Sequence, residues 1–181
     1  MEIVKHIMDG VLLLKPTLFG DDRGYFYESY NAKRFAELTG VRTDFVQDNQ
    51  SLSQKNVLRG LHFQNPPFAQ GKLVRVLQGA VQDVVVDIRR HSPHYGQHFE
   101  VELSAENHLQ MYIPEGFAHG FLTLEEQTVF VYKCTDYYEK NSEGCIAWND
   151  PMLKIQWKTK TPLVSEKDKM GQRFEDFTSL F

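Results

Sequence analysis

The sequence predicts an all-β jelly roll with one or two short helices. Three observations predict it. Apolar segments of strand length recur along nearly the whole chain, and Gly, Pro and Asn clusters separate them. Only one stretch, Asn31 to Thr39, carries convincing helix signals. With 181 residues, no internal repeat and no low-complexity linker, the chain suits one domain over residues 1–181. A jelly roll is the most economical all-β solution at this length, with one mouth and one interior where a small molecule could bind.

In order, Val11 to Lys15 reads as a strand stopped by Pro16, and Gly20-Asp21-Asp22-Arg23-Gly24 as a turn. Tyr25 to Tyr30 reads as an aromatic strand. Asn31 can cap the helix that follows, Phe35 and Leu38 share its face, and Gly40 can end it. Phe45 to Ser53 alternates, with Gln47 and Asn49 on one face. Strands follow at Val57 to Gln64, Gly71 to Gln78, Ala80 to Arg89, Gln97 to Ser104, Leu109 to Ile113, Gly116 to Leu124 and Thr128 to Thr135. Cys145 to Trp148 and Leu153 to Trp157 complete the β part. The tail from Leu163 is expected to form a short helical piece, with Phe174, Phe177 and Phe181 packing back on the body.

The formal net charge of −4 excludes a broad basic field for nucleic acid or an acidic membrane. Two cysteines make no disulfide framework, the N-terminus lacks the apolar core of a signal peptide, and no apolar run is long enough to span a bilayer. The expectation is a cytoplasmic protein without nucleic-acid or membrane partners.

The stretch with the most chemistry is Val57-Leu58-Arg59-Gly60-Leu61-His62-Phe63-Gln64. A histidine in such a strand is either packed core or a base in a pocket. Pro114-x-Gly116-x-x-His119 resembles the second motif of the cupin superfamily, whose members are jelly rolls and often bind a metal. In the matching first motif, Gln64 stands where a second histidine would be, and no Glu follows in the next turn. A divalent ion needs three or four converging ligands, so no metal and no cofactor are expected. The histidines at 91, 94 and 98 surround a Pro-Gly turn and read as a solvated loop.

A metal-free site with a histidine points to proton transfer. Neutral imidazole, with a pKa of about 6.5, can accept a proton, and tyrosine, at about 10, can donate one. Two such groups on opposite walls can remove a proton from one face of a carbon and return it to the other. The carbon must adjoin a carbonyl, and a donor such as Lys72 would stabilise the enolate oxygen. Tyr132 shares a face with Phe130 and Cys134; periodicity alone equally allows a core tyrosine. Strict alternation puts Arg59 and His62 on opposite faces. Both reach one site only if Gly60 bends or bulges the strand, or if a neighbouring chain supplies one of them.

Taken together, Val57 to Gln64, Gln70 to Val76, Asp83 to Arg89, Pro114 to Phe121, Tyr132-Lys133 and Trp148-Asn149-Asp150 resemble the dTDP-4-dehydrorhamnose 3,5-epimerase family, over about Val11 to Asp168. The resemblance implies a metal-free cupin homodimer that inverts carbons 3 and 5 of dTDP-4-dehydro-6-deoxyglucose on the route to dTDP-rhamnose. By position it implies that His62 is the base, Tyr132 the acid and Asp168 the group that orients His62. Lys72 would sit by the enolate oxygen, with His119 lining the pocket. Arg23 and Arg59 would hold the pyrophosphate. Glu28, Gln47 and Asn49 would bind the nucleotide, with Tyr138 stacked on thymine and Glu143 and Lys167 nearby. Phe63 and Lys158 depart from a common Tyr and Pro of the family and touch none of these roles. The rival readings are a relative that inverts only carbon 5 or only carbon 3, a non-catalytic sugar-nucleotide binder and a metal-dependent oxygenase. His62 with Tyr132 argues against the second, and Gln64 against the third.

Overall fold

The computed structural model describes Met1–Phe181. Strands β1 (Glu2–Ile7), β2 (Val11–Lys15), β3 (Phe19–Asp21) and β4 (Gly24–Phe26) precede helix α1 (Ala32–Thr39). Then come β5 (Gln47–Ser53), β6 (Val57–Gln64), β7 (Lys72–Gln78), β8 (Ala80–Asp87) and β9 (His98–Ser104). They are followed by β10 (Gln110–Ile113), β11 (Phe117–Thr123), β12 (Thr128–Cys134), β13 (Glu143–Cys145), β14 (Leu163–Val164) and helix α2 (Glu166–Lys169).

Two sheets form the jelly roll. One runs β1-β2-β10-β7-β12-β5, the other β13-β6-β11-β8-β9, with β14 parallel to β6. Side chains alternate across each strand, so one set fills the space between the sheets. Val74, Val76 and Phe130 from the first sheet meet Val81, Val85 and Phe121 from the second in that interior. The outer faces are covered too. Phe35 of α1 packs with Leu12, Leu14, Leu73 and Tyr112 on the first sheet. Ile146, Leu153 and Phe174 pack with Leu61, Phe63, Val84 and Val86 on the second.

The expected helix forms as read. The Asn31 side chain accepts from the Arg34 N–H, and Gly40 adopts the left-handed conformation that closes it. The tail makes α2 and one 3-10 turn at Phe174–Asp176, and Phe174, Phe177 and Phe181 pack on the second sheet. Other expectations need correction. Tyr25 to Tyr30 is not one strand: only Gly24–Phe26 pairs, in a small hairpin with β3, and Gln110 Nε2 takes the Ser29 carbonyl at 3.0 Å. Leu153 to Trp157 packs on the second sheet but joins no ladder. There the Gln82 side chain takes the place of a strand, binding the Gln156 carbonyl at 2.9 Å and the Lys158 N–H at 2.8 Å. The strand expected at Cys145 to Trp148 lies earlier, at Glu143–Cys145; only Cys145 is shared, and Ile146 makes an isolated bridge to Gln172. β1 carries Glu2, Lys5 and His6 and gave no alternating apolar signal, yet it pairs with β2 along its length.

Candidate active site

The first sheet builds one wall from a short alternating grid. In β12, Tyr132 pairs with Asn49 of β5 and Val74 of β7, and Cys134 pairs with Gln47 and Lys72. Lys72, Tyr132, Gln47 and Asn49 therefore project on one face. The second sheet supplies the facing wall. His62 of β6 pairs with His119 of β11.

Arg59 joins that wall through a bulge. His119 pairs with His62 and Phe121 with Arg59, so Gly60 and Leu61 together oppose Gly120 alone. The extra residue brings Arg59 and His62 to the same face, so of the alternatives left open it is a bulge at Gly60 that lets both reach one site. Gly60 has φ +123°, and a Cβ there would lie 2.5 Å from the Gly120 Cα. A Cβ on Gly120 would lie 2.7 Å from the Arg59 carbonyl. The two strands touch here because neither residue has a side chain.

A cavity of 260 Å³ opens between the walls, lined by Arg59, His62, Lys72, His119, Tyr132 and Asn49 among others. A second lobe of 320 Å³ shares Asn49, His62, Lys72 and Tyr132 with it and adds Gln47, Tyr138 and Glu143. Together the lobes give room for a sugar and an elongated substituent.

Asp168 reaches His62 from the sheet edge. β14 pairs with the first half of β6, and α2 follows it directly, capped by the Ser165 side chain on the Asp168 N–H. This carries Asp168, 3% exposed, to His62 Nε2 at 2.5 Å. Its other oxygen accepts from the Gly60 N–H at 3.4 Å. Burial pushes the Asp168 carboxyl up, but the bond from His62 and its charge outweigh this and hold the group below its ordinary value. An ionised carboxylate only accepts, so in the neutral ring the imidazole proton sits on Nε2 and Nδ1 offers the free lone pair.

On the facing wall, burial raises the Tyr132 phenol above its ordinary value; the Cys134 and Glu143 charges add to this and Arg59 opposes it. Tyr132 therefore stays protonated at neutral pH. Burial lowers the Lys72 ammonium, opposed by Cys134, Asp83 and Glu143, and no carboxylate forms an ion pair with it. It is a half-buried donor free to meet a developing oxyanion.

Tyr138 and Glu143, close in sequence, line the second lobe, and Lys167 joins them from α2. The Tyr138 hydroxyl donates to Glu143 at 2.9 Å, and Lys167 Nζ lies 2.5 Å from the same carboxylate. Burial pushes Glu143 up, but these two partners hold it below its ordinary value.

Arg23 and Glu28 are not brought to this cavity within one chain. Arg23 sits on the exposed β3–β4 hairpin, paired with Asp21 at 2.5 Å. Glu28 pairs with Arg34 at 3.1 Å and lines a separate hollow with Met1 and Phe19. Gln64, the residue standing for a lost ligand, is fully used elsewhere. It donates to the Phe68 and Tyr137 carbonyls and accepts from the Glu139 N–H.

Sequence reasoning missed Asp83 and Ser51. Asp83 is fully buried and accepts from His119 Nε2 at 3.0 and 3.1 Å. An acid inside the Val-rich run of β8 was the signal for it. Ser51 Oγ lines the cavity, is buried and has no hydrogen-bond partner. It continues the Gln47–Asn49 face by one more step of two, and that period was its signal.

The family model described as dTDP-4-dehydrorhamnose 3,5-epimerase matches residues 5–176. The enzyme of that name from Salmonella typhimurium is 56% identical over 93% of this chain and 92% of its own. A Legionella pneumophila dTDP-6-deoxy-D-glucose-3,5-epimerase, solved in complex with dTDP-4-keto-L-rhamnose, superposes with a TM-score of 0.94. It is 48% identical, covering 98% of this chain and 94% of that one. A Streptomyces bikiniensis 3'-monoepimerase in complex with dTDP-quinovose superposes with a TM-score of 0.88 at 30% identity, over 96% and 87% of the two chains. With two sheets carrying a His–Asp pair and a tyrosine to one cavity, and with relatives matched along nearly its full length, the chain belongs to the dTDP-4-dehydrorhamnose 3,5-epimerase family.

Proposed function

We propose that this protein inverts carbons 3 and 5 of dTDP-4-dehydro-6-deoxy-D-glucose, giving dTDP-4-dehydro-L-rhamnose in dTDP-rhamnose biosynthesis. The observation that carries this is the placement of His62 and Tyr132 on opposing sheets around one cavity, with Lys72 on the Tyr132 wall and in no ion pair. His62 Nδ1 takes the proton from the carbon beside the ketone. Asp168 holds the ring and stabilises the imidazolium that forms. The electron pair moves into the carbonyl, and the Lys72 ammonium stabilises the enolate oxygen. The Tyr132 phenol then delivers a proton to the opposite face. The second carbon follows the same steps after the sugar shifts or the ring flips.

His119, oriented by Asp83, lines the same wall, and Ser51 offers a hydroxyl still in need of a partner. Arg59 faces the diphosphate. Gln47, Asn49, Tyr138, Glu143 and Lys167 take the nucleoside, with the Tyr138 ring against thymine. Arg23 and Glu28 belong to the same role only in a homodimer, where one chain's hairpin reaches the other's cavity. Phe19, Tyr25 and Phe26 on that hairpin are 63, 61 and 69% exposed, an apolar surface a second copy would cover. Residues 1–181 act as one domain. No helix is long and apolar enough to cross a membrane. Two free thiols suit a reducing cytoplasm.

Inversion at a single carbon is the second reading, because the 3'-monoepimerase shares the fold and the same acid and base would serve it. Incubation with the 4-keto sugar nucleotide in deuterated water, read by NMR, separates the two. Deuterium at both carbons with inversion at both is expected; label at one carbon only would establish the monoepimerase. His62→Asn is expected to lose exchange at both carbons by about 10²–10⁴-fold. Wild-type exchange in that variant would remove His62 from the mechanism.

A further inference from the structure

Cys145 stands directly opposite His62 in the β13–β6 ladder. Nothing in the epimerisation uses it. Its thiol, the His62 imidazole and the Asp168 carboxylate each present a donor atom, and these lie within 4.8 Å of one another. The three come from separate segments, β6, β13 and α2, and neither His62 nor Cys145 is sealed from solvent. We propose that His62, Cys145 and Asp168 form an inhibitory site for a thiophilic divalent cation such as Zn²⁺, which occupies the dyad and disables the base.

The donor set selects the metal. One sulfur, one imidazole and one carboxylate suit Zn²⁺ and are poor for Mg²⁺ or Ca²⁺, which prefer oxygen cages. A tetrahedral ion about 2.0–2.3 Å from each donor spaces them by roughly 3.3–3.8 Å. The His62–Asp168 pair, at 2.5 Å, must open slightly, and the thiol must close in from its present distance. Small side-chain rotations on these short elements accommodate both. The fourth position is left to water.

The protons balance. Asp168 is already ionised. Zn²⁺ displaces the Cys145 thiol proton to solvent and moves the imidazole proton from Nε2 to Nδ1, so one proton is released in all. Metal on Nε2 leaves a neutral imidazole with its single proton on Nδ1. That is the nitrogen aimed at the substrate, so its lone pair is lost. This consequence rests on the reading of His62 as the base. Without metal, the Cys145 thiol donates to the Ile146 carbonyl at 3.7 Å and makes no hydrogen bond to the dyad.

The test begins with chelator-treated, dialysed protein. Zn²⁺ is expected to inhibit epimerisation at one equivalent, reversibly with EDTA, while Mg²⁺ does nothing. Cys145→Ser is expected to keep the metal-free rate and to need at least about 10-fold more Zn²⁺. Cd²⁺ is expected to give a thiolate-to-metal absorbance band in wild type and in Cys134→Ser but not in Cys145→Ser. Should the serine variant fold poorly, Cys145→Ala and the wild-type Cd²⁺ spectrum decide the matter. Equal Zn²⁺ sensitivity with and without Cys145, or no Cd²⁺ band in wild type, would overturn the site. Failure of the base reading shows separately, as turnover by His62→Asn with no metal added.

Discussion

Asp168 separates the orientation of the base from its chemistry. Removing its charge while keeping its shape, as in Asp168→Asn, leaves His62 without a reason to hold its proton on Nε2. Turnover is expected to fall about 10²–10⁴-fold with KM little changed. A loss confined to KM would show that Asp168 serves binding instead. The same pair links stability to pH. The folded Asp168 carboxyl is depressed below its unfolded value of about 3.9. Its contribution is therefore fully present above that value and is lost as pH falls below it toward the folded value. Asp168→Asn is expected to flatten the acid limb of a urea-denaturation profile relative to wild type; parallel limbs would contradict this. Tyr132→Phe is expected to slow inversion more than deuterium exchange, because proton removal needs only His62. Equal loss of both would contradict an acid role. His62 and Tyr132 were legible as candidates because each sits inside an apolar strand with a group that has to be explained, whereas Lys72, at the start of β7, drew attention only by following soon after. Ser51 and Asp83 were as informative in principle, but a serine and an acid in β-rich sequence carry no motif.

At the scale of elements, the β6 bulge decides the site. Period two, read strictly, separates Arg59 from His62, and one additional residue opposite Gly120 reunites them. Gly120→Ala is expected to cost about 1–3 kcal/mol and to reduce activity, because its Cβ would meet the Arg59 carbonyl and Gly60 Cα at 2.7 and 3.2 Å. Gly20→Ala, whose nearest contact would be an ordinary 3.6 Å, is the control expected to cost far less. Equal denaturation midpoints for the two variants would refute the close-approach account. Glycine in the motif was visible; the direction of the bend was not, since it depends on the register chosen with β11. Leu153 to Trp157 failed for a related reason. Its apolar alternation is real and buries Leu153, but its backbone bonds go to the Gln82 side chain. A burial pattern cannot say whether a ladder partner exists.

For the whole molecule, the hairpin with Arg23 does not line the cavity of its own chain. In the proposed homodimer it serves the other chain, and this has a distinctive consequence. Arg23→Ala and His62→Asn are each expected to be impaired alone. A mixed dimer carries both lesions in one site and none in the other. Co-refolding the two variants is expected to restore up to about a quarter of wild-type activity, because half the dimers are mixed and half their sites intact. No recovery, with sedimentation showing that dimers have mixed, would place Arg23 outside the partner's site.

By itself the sequence determined the class of fold, most strand positions and the capped helix, which follow from local periodicity and turn residues. The roles proposed for His62, Tyr132 and Lys72 came from the family resemblance, not from any local pattern. Tertiary structure alone decided the β6–β11 register, the delivery of Asp168 by α2 at the edge of β6, the Asp83–His119 pair, and the meeting of Cys145 with the dyad. Each depends on segments far apart in the chain whose pairing is set by packing of the two sheets and not by any local preference.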